Sequence, residues 1–308
     1  SLATRLLPAD ARRKIRKHQE LYLVILIPVL YIIIFHYLPM YGIQIAFRDF
    51  NPIGGITGSP WVGVKHLKLF FKSPQFVRLI SNTVGISVYQ ILAGFPIPII
   101  LGLSLNEVKH THFKKTVQMA TYAPNFISIV VMVGMILMFL SPSSGLINRL
   151  LNFIGIESVN FMGEPRYFKT VYVVTGIWQN AGYGTIIYLA ALSGINPQLL
   201  EAATIDGATR FQKIRYINFP GIMPTATILL ILRMGRVMNV GFQKVYLMQN
   251  PLNMPASDII ATYVYRIGLL SAQFSFATAV GLFNSVINLF LIIMVNRIAR
   301  RLGETSLW

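Results

Sequence analysis

Two arginines stand inside an apolar stretch of this 308-residue chain. Arg233 and Arg236 lie ten and 13 residues beyond Met223, within the run of residues 223–247. Each cation costs about 2.5 to 3.5 kcal/mol at such a depth on membrane-insertion scales. On a continuous helix the two arginines share a face with Asn239 and Gln243. Because guanidinium pairs bidentately with carboxylates, this face predicts a positively charged passage for an anionic solute. The alternative is that both side chains satisfy backbone carbonyls at helix kinks.

A second polar group precedes the arginines, in the apolar run of residues 168–192. Its aromatic and amide side chains suit the flat faces and hydroxyls of sugars: Trp178, Gln179, Asn180, Tyr183 and Tyr188. Ordinary helix packing or anchoring at the membrane interface explains any one of them equally well. We therefore predict these residues, with the arginine group, as the walls of a substrate pathway, and keep helix packing as the alternative.

The sequence holds no motif that would make the chain an enzyme. It has no cysteine and only five histidines, none in the H-E-x-x-H spacing of a zinc site. The ATP-binding pattern G-x-x-x-x-G-K-[ST] and the G-x-S-x-G nucleophile elbow are both missing. No Asp or Glu falls in the apolar runs, although an ion-coupled transporter usually needs a membrane-embedded acid. We predict a chain without catalysis, metal or cofactor of its own.

Composition places the apolar runs in a bilayer. Hydrophobic residues make up 54% of the chain and charged residues 12%, whereas a soluble domain carries about 25% charged residues. The net charge of +17 does not indicate nucleic-acid binding, because the segments between the basic clusters are lipid-soluble. Lys and Arg in such a chain set its orientation and contact anionic lipid.

Six apolar runs predict an all-α integral membrane protein with about six transmembrane helices. Gly94, Pro96 and Pro98 predict a kink in the second run. We interpret residues 1–20 as a basic N-terminal segment and residues 21–308 as one transmembrane domain. No small-residue cleavage site follows the first run, which favours a permanent span over a signal peptide. The runs are residues 21–47, 80–105, 117–140, 168–192, 223–247 and 274–295.

The distribution of basic residues predicts the orientation. Four segments hold 15 of the 27 Lys and Arg residues: 1–18, 106–116, 196–219 and 297–308. Because positive residues stay on the cytoplasmic side, both termini and the connection between the fourth and fifth runs are predicted to be cytoplasmic.

That connection, residues 196–220, predicts two short helices, and we call it the coupling loop. Asn196 caps the first helix, with Pro197 at its first position, where a missing N–H costs nothing. Asp206 and Gly207 end this helix, because the pair tolerates a reversed turn. The first helix therefore spans only a few turns.

The second predicted helix of the coupling loop carries an apolar face. Phe211, Ile214 and Ile217 recur every three residues on it, and Pro220 is expected to stop it. A short helix with an apolar face on a compact loop is suited to insertion into a groove of another protein. A surface hairpin that merely caps the bundle is the alternative.

The run EAATIDGATRFQKIRYINFP resembles the EAA loop of permease subunits of bacterial binding-protein-dependent ABC importers. Phe219 departs from the usual Leu but stays apolar. Residues before the loop resemble the outer loop of carbohydrate-uptake permeases. They are most similar to the polysaccharide-type branch, which includes the lipopolysaccharide-named permeases. Within that branch the chain most resembles the alginate importers. The matching residues are Glu201, Ala202, Ala203, Gly207, Ile217 and Pro220 in the loop, and Trp61, Gly63, Phe70, Phe71, Asn82 and Thr83 before it.

The resemblance implies the permease fold of a type I ABC importer. It implies a second permease subunit, expected to be a different chain, two ATPases that bind ATP and Mg, and an extracytoplasmic solute-binding protein. The implied function is passage of an acidic saccharide such as alginate into the bacterial cytoplasm. A permease for neutral oligosaccharides and an ion-coupled secondary transporter are the alternatives. The expected ATPase-coupling residues are Glu201, Ala202, Ala203, Asp206, Gly207, Phe211, Ile214, Ile217 and Pro220.

Overall fold

The computed structural model describes residues 18–301, so most of the predicted N-terminal segment and the end of the C-terminal tail lie outside the described residues. Helices joined by loops make up this part of the chain. Two are single turns, Gly55–Gly58 and Met254–Ser257. The longer ones are α1 Gln19–Phe47, α2 Lys65–Lys72, α3 Phe76–Glu107, α4 Thr111–Phe126, α5 Ile129–Phe139, α6 Leu146–Phe153, α7 Pro165–Ser193, α8 Pro197–Ile205, α9 Arg210–Met234, α10 Phe242–Met248, α11 Ile260–Leu270 and α12 Phe274–Arg301.

Each of the six predicted apolar runs falls on helix, but the runs differ in form. Among the described residues, α1, α3, α9 and α12 are long and apolar enough to cross a membrane. The third run is divided into α4 and α5, which meet at a bend of 102° and add a fifth crossing if they form one span. The α-helical segment of the second run ends at Gly94 and a new one begins at Pro96, at the predicted kink.

Helix α7 is the central helix and covers the fourth run. Its 29 residues pack against α3, α4 and α9. Phe168 and Val173 on its first half are fully buried in one apolar cluster, and Tyr188 on its second half is buried in another. The buried residues of α7 form one face against these helices, and the opposite face is exposed within the described chain, for example at Val174 and Ile187.

The second helix of the coupling loop and the fifth span are one helix, α9. The prediction that Pro220 stops the second helix is wrong. A π-helical turn, Ile214–Asn218, comes first, and Pro220 lies in the first turn of the α-helical segment Phe219–Met234. Because the α-helical segment starts again at Phe219 after the π-helical turn, Pro220 takes a first-turn position of that segment and the helix continues.

The fifth run is broken, and the prediction of one helix over residues 223–247 is wrong. Helix α9 ends at Met234, residues 235–241 are not helical, and α10 begins at Phe242. Glycine stands at both ends of this break, at Gly235 and Gly241, where low helix propensity favours an interruption. The arginine group therefore does not share one helical face.

Candidate functional site

A cavity of about 500 Å³ lies between α3, α7, α9 and the break that follows α9. Aliphatic side chains and glycines form much of its wall. None of the described residues that line it is Asp or Glu. Its polar lining residues are Ser87, Gln90, Asn180, Arg233, Arg236 and Asn239.

The two arginines reach the cavity from different backbone conformations. Arg233 lies in the last turn of α9, and its guanidinium carbon is 5.5 Å from the ring centroid of Phe95, within cation–π range. Arg236 lies in the break. Neither guanidinium has a carboxylate within 4.0 Å among residues 18–301. The cavity wall thus carries uncompensated positive charge.

Neighbouring helices satisfy the backbone groups that the break releases. The hydroxyl of Ser87 on α3 donates to the carbonyl of Val237. The backbone N–H of Met238 donates to Asn288 Oδ1 on α12 at 3.1 Å. Irregular backbone at membrane depth is tolerated only where protein or water supplies such partners. The break is therefore held open by side chains of two other helices.

The structure brings together four of the predicted pathway residues and separates the other five. Asn180, Arg233, Arg236 and Asn239 line the cavity. The remaining residues do not line it, and Gln243 is exposed on α10, beyond the break.

The other aromatic and amide residues of α7 are placed by packing. Gln179 is buried and donates to the carbonyl of Ile127 at 3.1 Å. Tyr188 is buried in the apolar cluster with Ile222. Trp178 and Tyr183 are about half exposed on the outside of the described chain. For Gln179 and Tyr188 this geometry favours the packing interpretation.

Lys244 is a buried cation near the cavity that the sequence analysis did not select. It lies on α10, and its Nζ donates to the carbonyl of Tyr172 on α7 at 3.0 Å. The available signal was a third basic residue in the run 223–247, beside Arg233 and Arg236. The periodicity of the run could not predict that Lys244 contacts α7, because that contact joins two separate helices.

A buried carboxylate was also missed, and it is fully paired. Asp258 is 0% exposed and lies 2.7 Å from Arg266 and 4.0 Å from Arg78. The hydroxyl of Thr262 donates to the same carboxylate at 3.0 Å. The buried charge of Asp258 is thus compensated by two arginines, in contrast to the charges of the cavity arginines.

The first part of the coupling loop has the predicted form. Asn196 Oδ1 accepts a hydrogen bond of 3.0 Å from the N–H of Gln198, which caps α8. Gly207 has φ of +76° and turns the chain between α8 and α9. Across this turn, Lys213 Nζ donates to the hydroxyl of Thr204 at 2.8 Å.

The predicted apolar face of the second coupling helix is divided. Phe211 is 70% exposed, whereas Ile214 packs against the buried cluster between α3, α7 and α9. The π-helical turn at Ile214–Asn218 changes the helical period, which explains why spacing by three does not give one exposed face. Ile217 is half-buried, and Glu201 is exposed without an ion pair among the described residues.

Comparison with known proteins agrees with this architecture. Residues 94–304 match the family described as binding-protein-dependent transport system inner membrane component. The chain is 42% identical over 295 residues to the polygalacturonan/rhamnogalacturonan transport system permease protein YteP of Bacillus subtilis, covering 96% of this chain and 92% of YteP.

Two crystal structures are similar along nearly the whole chain. One is a bacterial ABC transporter involved in the import of the acidic polysaccharide alginate, with a TM-score of 0.88, 41% identity, and coverage of 95% of this chain and 99% of the other. The second is a bacterial alginate ABC transporter in complex with an alginate pentasaccharide-bound periplasmic protein, with a TM-score of 0.88, 40% identity, and coverage of 96% and 99%. This chain is therefore a transport subunit that belongs to the family of inner membrane components of binding-protein-dependent transport systems.

Proposed function

We propose that this chain is the membrane-spanning subunit of an ATP-driven importer that passes an acidic saccharide into the cytoplasm. The observation that carries the proposal is the cavity whose wall presents two unpaired arginines and no carboxylate. Water or backbone would have to solvate both cations at every stage if the solute were neutral. A uronate carboxylate compensates them as it passes.

The similar proteins support the acidic class of solute. The solved transporters import alginate, an acidic polysaccharide, and the polymer in the name of YteP is by its chemical name a polyuronate. A neutral oligosaccharide is the second candidate, because Asn180 and Asn239 in the cavity could bind hydroxyls. An ion-coupled carrier lacks support, because no acid lines the described cavity.

The coupling loop is the proposed site of contact with the ATPases. Its two most exposed large apolar side chains are Ile205 at 87% and Phe211 at 70%, which suits insertion into a groove of a partner protein. Ile205 lies at the end of α8, and Phe211 lies in the first turn of α9. Helix α8 and the turn that follows it also hold Glu201, Ala202, Ala203 and Asp206. Because α9 extends from the loop at Arg210 to Arg233 at the cavity wall, movement of the loop is transmitted along this helix to the cavity.

The other proposed partners are a second permease subunit and a solute-binding protein outside the membrane. The apolar window of α1 has no buried residue within the described chain, so this part of the helix offers its surface to lipid and to a second permease, whereas the end of α1 packs at Ala46. ATP and Mg are bound by the ATPase subunits. The binding protein captures the saccharide and delivers it to the cavity.

We expect the coupling loop and both chain termini to face the cytoplasm. Since the chain has no cysteine, Thr209→Cys provides a single label at an exposed position. An impermeant thiol reagent added to intact cells should leave this cysteine unlabelled and should label it in inverted vesicles. Labelling from outside intact cells would contradict the orientation.

Uptake by the reconstituted importer tests the proposed function. The tagged chain is purified with the subunits that accompany it and placed in liposomes with internal ATP and the binding protein. We expect a separate ATPase in the complex, and uptake of oligogalacturonate or oligoalginate in preference to maltodextrin. Preference for maltodextrin would establish the neutral alternative, and an active complex without an ATPase would contradict the proposal.

A further inference from the structure

Lys244 is buried without an acidic partner. Its exposure is 7%, and within residues 18–301 no carboxylate lies within 4.0 Å of its Nζ. Nζ donates to the Tyr172 carbonyl at 3.0 Å and lies 4.8 Å from the centroid of the Tyr172 ring. A lysine ammonium has three N–H donors. A neutral carbonyl and a ring face therefore compensate its charge only in part.

The ammonium stands beside the cavity wall at Gly176. This glycine lines the cavity. A Cβ at residue 176 would lie 3.4 Å from Lys244 Nζ and 4.0 Å from Nε2 of Gln90, which also lines the cavity. Because glycine has no side chain, residue 176 places no atom at the position that contacts both nitrogen atoms. A single methyl group on Gly176 would therefore reach from the cavity wall to van der Waals contact with the ammonium.

We propose that Lys244 is a third cationic group of the transport cavity and receives a carboxylate of the saccharide past Gly176. This inference rests on the proposed function and adds to Arg233 and Arg236 a residue that contacts the solute. In the structure the ammonium donates to the Tyr172 carbonyl. A carboxylate competes with that carbonyl because it carries a full negative charge, whereas the carbonyl is a neutral dipole, and the attraction between opposite charges is strong where water is scarce.

A purely structural role accounts less well for a lysine at this position. The long stem of lysine normally lets its charged end reach water while the methylenes pack. At residue 244 the whole side chain is buried against α7. A methionine would fill the same space without desolvating a charge. Contact with an anionic solute therefore explains why residue 244 is a buried cation.

Concentration-dependent uptake of oligogalacturonate by the complete importer tests the role of Lys244. We expect Lys244→Met to raise the KM roughly tenfold, the loss of one hydrogen bond to a charged group, while the maximal rate per complex changes much less. Lys109→Met, which removes an exposed lysine that does not line the cavity, is the matched control and should keep the parent KM.

A chemical rescue separates charge from packing. Because the chain has no native cysteine, Lys244→Cys can be aminoethylated to restore an ammonium, or ethylated to restore length alone, with the parent importer treated in parallel. We expect aminoethylation to return the KM toward the parent value and ethylation to leave it high. The inference is overturned by an unchanged KM in Lys244→Met, by a loss of maximal rate or assembly alone, or by equal rescue with both reagents. Failure of the parent to import any oligouronate would instead contradict the proposed function.

Discussion

Gly207→Val should uncouple the importer while the chain stays inserted in the membrane. Gly207 has φ of +76°, where a residue with a Cβ costs about 1–2 kcal/mol and a β-branched residue more. Nothing lies within 4 Å of a Cβ at this position, so the loop relieves the strain by changing its backbone rather than by moving the bundle. Saccharide-stimulated ATP hydrolysis should fall by about tenfold or more, since 1.4 kcal/mol corresponds to a factor of ten.

A second glycine provides the matched control for this prediction. Gly155 has φ of +83°, is exposed, and has nothing within 4 Å of its Cβ position, but it follows α6 rather than lying in the coupling loop. Gly155→Val imposes the same kind of backbone strain elsewhere. It should keep most of the stimulated ATP hydrolysis. Equal activities of the Gly207 variant and the parent would rule out the assignment of this loop to the ATPases.

Replacing both cavity arginines should abolish preference for an acidic solute. Arg233→Gln together with Arg236→Gln keeps polar side chains at both positions and removes two uncompensated charges from the cavity wall. Loss of one hydrogen bond to a charged group costs about 1.5–3 kcal/mol, so two such losses should lower uptake of oligouronate roughly a hundredfold or more. ATP hydrolysis measured without saccharide should fall far less, because the coupling loop is intact. Uptake of radiolabelled oligomer into liposomes gives the comparison.

A double variant of equal charge change distinguishes a local effect from a change in net charge. Arg149 and Arg297 are exposed and do not line the cavity. Their joint replacement by Gln should leave oligouronate uptake near the parent value. If the cavity variant also transports at the parent rate, the two arginines serve only the structure of the break, and the charged pathway is wrong.

The sequence by itself determined the class of protein and the local form of the coupling loop. Low charge and long apolar runs require a bilayer whatever the packing. The Asn196 cap and the left-handed turn at Gly207 depend on neighbours within a few residues, and both appear as predicted. The presence of two arginines without an acid in the fifth run was also visible, because the cost of a charge in an apolar segment is a property of the segment.

Only the tertiary structure decided how the fifth run is divided and which side chains face the cavity. Periodicity assumes a continuous helix. Gly235 and Gly241 favour an interruption. Residues 235–241 can leave the helix since Ser87 and Asn288, both distant in sequence, supply hydrogen bonds to the released backbone. Lys244 gains its place beside Gly176 only through the contact of α10 with α7. Such partners come from other helices, so no pattern within one run reveals them.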